Sequence, residues 1–398
     1  MDLSYTPEQE AFRAEVRRWL ASNVPQPPLA SPGAPDAFAA HRAWERKLSD
    51  AGYGGIAWPA EYGGRGADVV LQAIFEEEYL AAGAPERVSI VGQKLMAPTL
   101  WAHGSDEQKS EWLPRILSCE DIWSQGFSEP EAGSDLAGIR TKAELVGDHY
   151  VINGQKIWTS YGAFADWIFA LVRTDPDSTP QPKAEAQRRH DGVTFIAVDM
   201  RTDGVEARPI VQLDGHAGFA EVFFTDARVS VQNVVGSPND GWRVAMTTLG
   251  AERDSPPRSA TRYLRDLRTL SGIARSRGIA DDPVVADELA DLYVQAKCYA
   301  HATAHTISRL SRGEDIGIGA SVMKLQWSEL ERRMFDVGLE LLGPRGATLD
   351  EPAAGAEEFW HNYWYARAAT IYAGTSEIQR NIVAERVLGL PREPRPTA

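Results

Sequence analysis

Five apolar residues late in the chain, Val285, Leu289, Leu292, Ala296 and Tyr299, step by 4, 3, 4 and 3; Met323, Trp327, Leu330, Met334, Val337 and Leu341 keep the same rhythm. That spacing lays each set along one stripe of a long helix, and a stripe so apolar must be buried against other helices. The pattern predicts a four-helix bundle in which the Met and aromatic positions are core. The beginning of the chain is helical as well. Thr6-Pro7-Glu8-Gln9-Glu10 offers a capping hydroxyl, a proline at the first helical position and acids in the first turn, and Phe12, Val16, Trp19 and Leu20 share a face. After a Pro-rich link (24–35) come a helix carrying Trp44 and Leu48, a glycine-dense loop (52–66), and helical patterns over 70–81, 93–101 and, capped by Ser105, 106–117.

Between these helical parts the period changes to two. Asn153-Gly154, inside His149 to Trp158, predicts a hairpin turn, and strands are expected over 167–173, 193–199 and 221–225. The polar stretch 174–191 reads as a mobile surface loop, and 391–398 as a disordered end. The expected fold is α+β: an N-terminal α-helical domain (1–121), a middle antiparallel β domain (122–231) and a C-terminal helical-bundle domain (232–398).

With 398 residues the chain can bury more than one core, and its net charge of −15, spread along the chain without a long single-sign run, argues against a nucleic-acid partner, since binding phosphates needs a basic face. Cys119 and Cys298 stand far apart, so neither a disulfide framework nor a zinc site is indicated, and a reducing cytoplasm fits. The N-terminus lacks a basic and apolar export pattern, and no run suits a membrane span. Among the histidines, His216, His301, His305 and His361 lack carboxylate company at metal-binding spacing, and a Gly-x-Ser-x-Gly elbow is missing, so metal catalysis and a serine hydrolase are not expected.

The segment Phe127-Ser128-Glu129-Pro130-Glu131-Ala132-Gly133-Ser134 reads physically as a turn with glycine for close backbone approach and amides free for a polar ligand. Taken with Ala57-Trp58-Pro59, Asn153 to Lys156, Trp158-Thr159-Ser160, Gly241-Trp242 and Ile371 to Arg380, in this order, it resembles the acyl-CoA dehydrogenase family over nearly the whole chain. The resemblance implies FAD held by the β domain and the bundle. Gln125, Phe127 and Ser128 would line the flavin, with Gly133 beside them. Trp158, Thr159 and Ser160 would pack on and hydrogen-bond its ring system, Ser134 would face the CoA side, and Gly374, Thr375 and Glu377 would reach the adenosine diphosphate end. For Trp158 the alternative is hairpin packing.

The implied reaction is α,β-dehydrogenation of an acyl-CoA thioester, with electron-transfer flavoprotein as acceptor. It needs a carboxylate to take the α proton. Many family members carry that base as Glu directly before Gly-Thr, where this chain has Ala373. A minority place it on an earlier helix, and Leu249-Gly250-Ala251-Glu252-Arg253 matches them, which makes Glu252 the expected base and Arg253 its support; Asp254 is a weaker candidate. A surface Glu-Arg pair is the plain alternative. Such an early base favours a branched, bulky or steroid-derived acyl group.

A second departure concerns assembly. Typical homotetramers have an Arg-x-x-Phe-Gly segment reaching a neighbour's FAD pyrophosphate and a Gln before a Gly-Gly turn. Here the stretch reads Ser276-Arg277-Gly278-Ile279-Ala280-Asp281-Asp282, and Glu340 precedes Leu341-Leu342-Gly343-Pro344-Arg345. A glutamate would repel the pyrophosphate. This resembles actinobacterial steroid-side-chain enzymes built as heterotetramers with a paralogous subunit, although Arg277 in place of the usual arginine would keep a homotetramer open. Two rival readings remain: a flavin oxidase or monooxygenase of the same fold, and a non-catalytic partner subunit.

Overall fold

The computed structural model describes residues 5–178, 189–254, 257–347 and 356–392. In chain order its elements are α1 (Pro7–Asn23), α2 (Phe38–Asp50), α3 (Val69–Ala81), α4 (Ala97–His103) and α5 (Asp106–Leu117). The strands follow: β1 (Trp123–Gly126), β2 (Lys142–Val146), β3 (His149–Ser160), β4 (Trp167–Arg173), β5 (Val193–Asp199), β6 (Val205–Ile210) and β7 (Phe219–Ser230). Helices then return as α6 (Gly241–Asp254), α7 (Thr261–Ser276), α8 (Pro283–Leu310), α9 (Gly319–Leu342), α10 (Ala356–Ala369) and α11 (Ser376–Arg386). The order of helices, then sheet, then helices is the expected α+β class.

By contact the chain forms two compact units, a bundle unit (1–24, 68–84 and 256–398) and a sheet unit (25–67 and 85–255). In the bundle unit α7, α8 and α9 pack on one another, and α10 and α11 lie on α9. Leu292, Ala296 and Tyr299 of one stripe and Met323, Trp327, Leu330, Met334, Val337 and Leu341 of the other are buried together, while Val285 and Leu289 lie at the margin. From the start of the chain, α1 packs on α3, which reaches α7 and α8. The Glu78 carboxylate accepts from Arg13 at 2.9 Å and from Arg17 at 2.8 Å, tying α1 to α3. Thr6 caps α1 in a reciprocal box with Gln9.

Within the sheet unit the seven strands run β1-β4-β2-β3-β7-β6, with β5 pairing β4. The pairing is antiparallel except that β1 lies parallel to β4, as does a single pair between β2 and β4. Helices α4, α5 and α6 cover one core, where the Trp112, Trp123 and Trp167 rings meet at 5.3–5.5 Å between centroids.

The expected hairpin at Asn153-Gly154 does not form; β3 runs straight through both residues. The turn is Gly147-Asp148, with Val146 opposite His149. Asn153 instead grips the β7 bend, its amide donating to the Asp226 carboxylate at 3.0 Å and its oxygen accepting from the Asp226 backbone at 2.9 Å. Gly154 sits in a bulge at φ +152°, where a Cβ would stand 2.6 Å from the Thr141 hydroxyl. The Asn-Gly pair therefore marks a bulge against a crowded neighbour rather than a turn.

Of the loop expected to be mobile, residues 179–188 lie outside the described residues, as do 393–398 of the chain end. Both cysteines are free thiols, Cys119 buried and Cys298 exposed. No helix among the described residues is long and apolar enough to cross a membrane.

Candidate functional site

The turn at 127–134 is anchored from below by an ion pair that sequence reasoning passed over. Lys156, fully buried, donates to the Glu129 carboxylate at 2.7 Å, to the Leu171 carbonyl at 2.7 Å and to the Phe127 carbonyl at 3.4 Å. Glu129 also accepts the Arg140 and Thr141 amides at 2.6 and 3.0 Å. Burial alone would raise the Glu129 carboxyl, but Lys156 beside it and these donors hold it below its ordinary value. The ammonium is shifted down by the same burial. Both charges stand in the matching motifs, Glu129 in 127–134 and Lys156 in 153–156, but among the polar neighbours Ser128, Glu131, Asn153 and Gln155 nothing in the sequence marks them as a buried pair.

Above this anchor the backbone is pinned in detail. The Ile157 amide donates to the Ser128 carbonyl at 3.0 Å, and Glu129 and Ala132 exchange two backbone bonds at 3.0 Å across Pro130-Glu131. The Phe127 ring is buried edge-on against Phe169 and Phe195. Gly133 and Ser134 are exposed, and a Cβ on Gly133 would meet nothing within 4 Å. The chain's own packing gives no reason for glycine there.

At the end of β3 the register with β7 slips between Lys156 and Thr159. Trp158 sits at that slip in a left-handed backbone, φ +58°, with 57% of its surface exposed and one edge contact to Phe219 at 6.2 Å. Core packing of Trp158 is thereby excluded. Next to it Thr159 is wholly buried, yet its hydroxyl has no hydrogen-bond partner, and the buried Gln125 amide nitrogen on β1 has none either. Ser160 is drawn toward the same strand, its carbonyl accepting from the Ser124 hydroxyl at 2.7 Å. The Ser124–Ser160 and Ile157–Ser128 bonds thus bring the chain around Gln125 and Phe127–Ser128 next to the Trp158–Ser160 end of β3. Two orphaned donors beside an exposed indole fit a flat, acceptor-rich ligand.

Helix α6 is tied to the same unit by Thr248, whose hydroxyl meets that of Thr99 at 2.8 Å in the interior, and by Thr247, 2.8 Å from the His103 imidazole. Its own Val244 and Ala245 are fully buried in the core of that unit. Glu252, Arg253 and Asp254 occupy its last turn; their side chains lie outside the described residues.

In the bundle unit, Ala373 and Gly374 turn the chain with φ +52° and +85° before Thr375 caps α11, its hydroxyl accepting from the Ile378 amide at 3.2 Å. The φ of +85° favours glycine at 374, and a Cβ there would also stand 2.4 Å from the Gln379 amide nitrogen. Glu377 is exposed in the first turn, its carboxyl lowered by its own backbone N–H and the Thr375 hydroxyl. The Arg277 guanidinium donates to the Leu341 carbonyl at the end of α9, and Glu340 is exposed.

Family models for the N-terminal, middle and C-terminal domains of acyl-CoA dehydrogenases match residues 6–120, 124–227 and 239–388. The acyl-CoA dehydrogenase IpdE1 of Mycobacterium tuberculosis is 43% identical, covering 96% of this chain and 98% of that protein. Among solved structures, a Tcur3481-Tcur3483 steroid ACAD shows 29% identity, a TM-score of 0.86 and coverage of 99% and 100%. The ChsE4-ChsE5 complex from Mycobacterium tuberculosis shows 31% identity, a TM-score of 0.84 and the same coverage. The three-part fold, its signature turns and these likenesses agree: this chain belongs to the acyl-CoA dehydrogenase family of oxidoreductases.

Proposed function

We propose that the chain carries out FAD-dependent α,β-dehydrogenation of an acyl-CoA thioester to the trans-2-enoyl-CoA, on a branched, bulky or steroid-derived acyl group. The observation that carries this reading is the exposed, left-handed Trp158 beside the orphaned Thr159 hydroxyl and Gln125 amide. FAD, when bound, supplies the acceptor for the β hydrogen as hydride. Trp158 would cover one face of its ring system while Thr159, Gln125, Ser128 and Ser160 hydrogen-bond the edge. Gly133 and Ser134 leave room for the thioester side, and Gly374, Thr375 and Glu377 would meet the adenosine diphosphate end. Glu252 takes the α proton, with Arg253 positioning it. Removal of that proton places charge on the thioester oxygen, so donors aimed there are needed. Electron-transfer flavoprotein is the expected acceptor.

The same reading extends to a paralogous partner subunit. Arg277 is engaged by its own α9 end, and Glu340 would face a pyrophosphate with the wrong charge. Two of the similar solved structures are described by paired names, Tcur3481-Tcur3483 and ChsE4-ChsE5. Expressed alone the chain should be nearly colourless; co-expressed with its paralogue it should be yellow and bleach when an acyl-CoA is added without oxygen. A fully yellow, active homotetramer would overturn the heteromer. A loaded protein that no CoA thioester bleaches would favour the oxidase or monooxygenase reading.

Trp158→Gly separates ligand packing from structural packing. A core tryptophan costs about 3–5 kcal/mol when truncated, whereas glycine at φ +58° relieves backbone strain. The apo variant should melt within a few degrees of wild type, with flavin held about tenfold more weakly, equivalent to one lost aromatic contact. A large fall in melting temperature would return Trp158 to a structural role.

A further inference from the structure

Helix α8 carries two stripes at coiled-coil spacing, and the bundle unit uses one of them. Leu292, Ala296 and Tyr299 are buried in its core, where α8 packs on α7 and α9. On the other side of the helix Asp287, Asp291, Val294, Cys298, His301 and His305 step by 4, 3, 4, 3 and 4, and all six are exposed. Each lies two residues, about 200° of helical turn, beyond a position of the buried stripe. The 4-3 rhythm is that of a seam between paired helices. Val294, at its middle, leaves 56% of its surface to solvent, and the adjacent Tyr293 leaves 51%.

This outer seam is its own complement. Turning the helix end for end about the level of Ala296 carries Asp287 onto His305, Asp291 onto His301 and Val294 onto Cys298. In an antiparallel pair of such helices each carboxylate meets an imidazole, which donates to it whether the ring is neutral or charged, and the uncharged residues meet in the middle. The helix dipole also favours acids near the start and histidines near the end, but its pull is confined to the terminal turns. Asp291 and His301 stand more than two turns from the ends of α8 at Pro283 and Leu310. The Gln295 amide donates to Asp291 at 2.6 Å on the same helix; among the described residues the side chains of Asp287, His301 and His305 have no hydrogen-bond or ion-pair partner. An unrelated partner would call for no such end-for-end symmetry.

We propose that the outer face of α8 pairs antiparallel with α8 of a second copy of this chain, about a two-fold axis at the level of Ala296. Such a contact is isologous, so every pairing occurs twice. It needs neither bound flavin nor the paralogous subunit, and in a heteromer it joins the two copies of this chain.

Val294→Cys in the full chain, alone and co-expressed with its paralogue, tests the register. The introduced thiol lies opposite Cys298 of the second copy, so mild oxidation should link the copies through two disulfides, read on a non-reducing gel. Cys119 is buried and does not compete. The native Cys298 pair, offset by four residues along the axis, stands about 10 Å apart between Cα atoms, too far for a direct bond. Val322 on α9, 47% exposed, supplies a control position off the seam. Thiols held opposite one another act at effective concentrations of order millimolar, so at about 10 μM chain Val294→Cys should link at least about tenfold faster than Val322→Cys.

Asp291→Lys places an ammonium opposite each His301 and should weaken association of the two copies, read by sedimentation, at least about tenfold. Adding His301→Asp restores an opposite pair and should recover most of that loss. Both positions are exposed, so neither change should move the melting temperature by more than about 2 °C. Linking of Val294→Cys no faster than Val322→Cys, or a loss in Asp291→Lys that His301→Asp leaves unrepaired, would overturn the pairing. So would a complex in which Val294→Cys links no copies while Asp291→Lys sheds the paralogue, since the paralogue would then cover this face.

Discussion

Glu252→Gln should lower kcat by about 10²–10⁴-fold, the range that a positioned general base contributes, while leaving the visible spectrum and thioester affinity near wild type. The amide matches the carboxylate in shape and cannot accept the α proton. Asp254→Asn, two residues on in the same last turn of α6, should change kcat little, and that contrast assigns the base to one carboxylate. The alternative base position offers a rescue. Ala373 has φ +52°, a backbone where any side chain with a Cβ pays the same steric penalty, so Ala373→Glu adds little strain. Adding it to Glu252→Gln should recover part of the lost rate if the position before Gly374 faces the same proton. Undiminished activity of Glu252→Gln in the reconstituted complex would hand catalysis to the partner and leave this chain as its support.

Much of this architecture is legible in the sequence. Long helices announce themselves by the 4-3 step because burial has to follow the helical period, and the stripe from Met323 to Leu341 is buried as expected. Strands β4 and β5 span the expected residues, since apolar runs flanked by polar turns have few other solutions. Asn153-Gly154 misled because local preference was overridden by a tertiary demand: the Thr141 side chain leaves no room for a Cβ, and Asp226 claims the asparagine. The exposure of Trp158 was equally invisible in sequence. A tryptophan in a strand is ordinarily core, and only the register slip and positive φ turn it outward.

Lys156→Met should cost the sheet unit about 3–5 kcal/mol, the penalty for stranding one member of a buried ion pair, and lower its melting temperature by roughly 10 °C at a size where each kcal/mol moves it 2–4 °C. The methionine fills the space but leaves Glu129, 7% exposed, without its counter-ion. In wild type the Glu129 carboxyl lies below its unfolded value of 4.5, so its contribution is present above that pH and is lost as the solution is acidified through the folded value. In the variant the sign reverses. With Lys156 gone, burial dominates and raises the Glu129 pKa, so the unfolded chain ionises first and the loss grows as pH climbs above about 4.5. Lys156→Met should therefore be closest to wild type in acid and furthest from it near neutrality, which urea titrations at several pH values would read directly. Glu129→Gln added to Lys156→Met should recover part of the loss, because the amide buries no charge and its single oxygen still accepts one of the two amides, Arg140 or Thr141, that the carboxylate takes on separate oxygens. Since Phe127 and Ser128 are held over this pair, the single variant should also shed cofactor at temperatures where its folded fraction is still high. A flat pH dependence in Lys156→Met would show that Glu129 is not stranded and that the turn has another anchor.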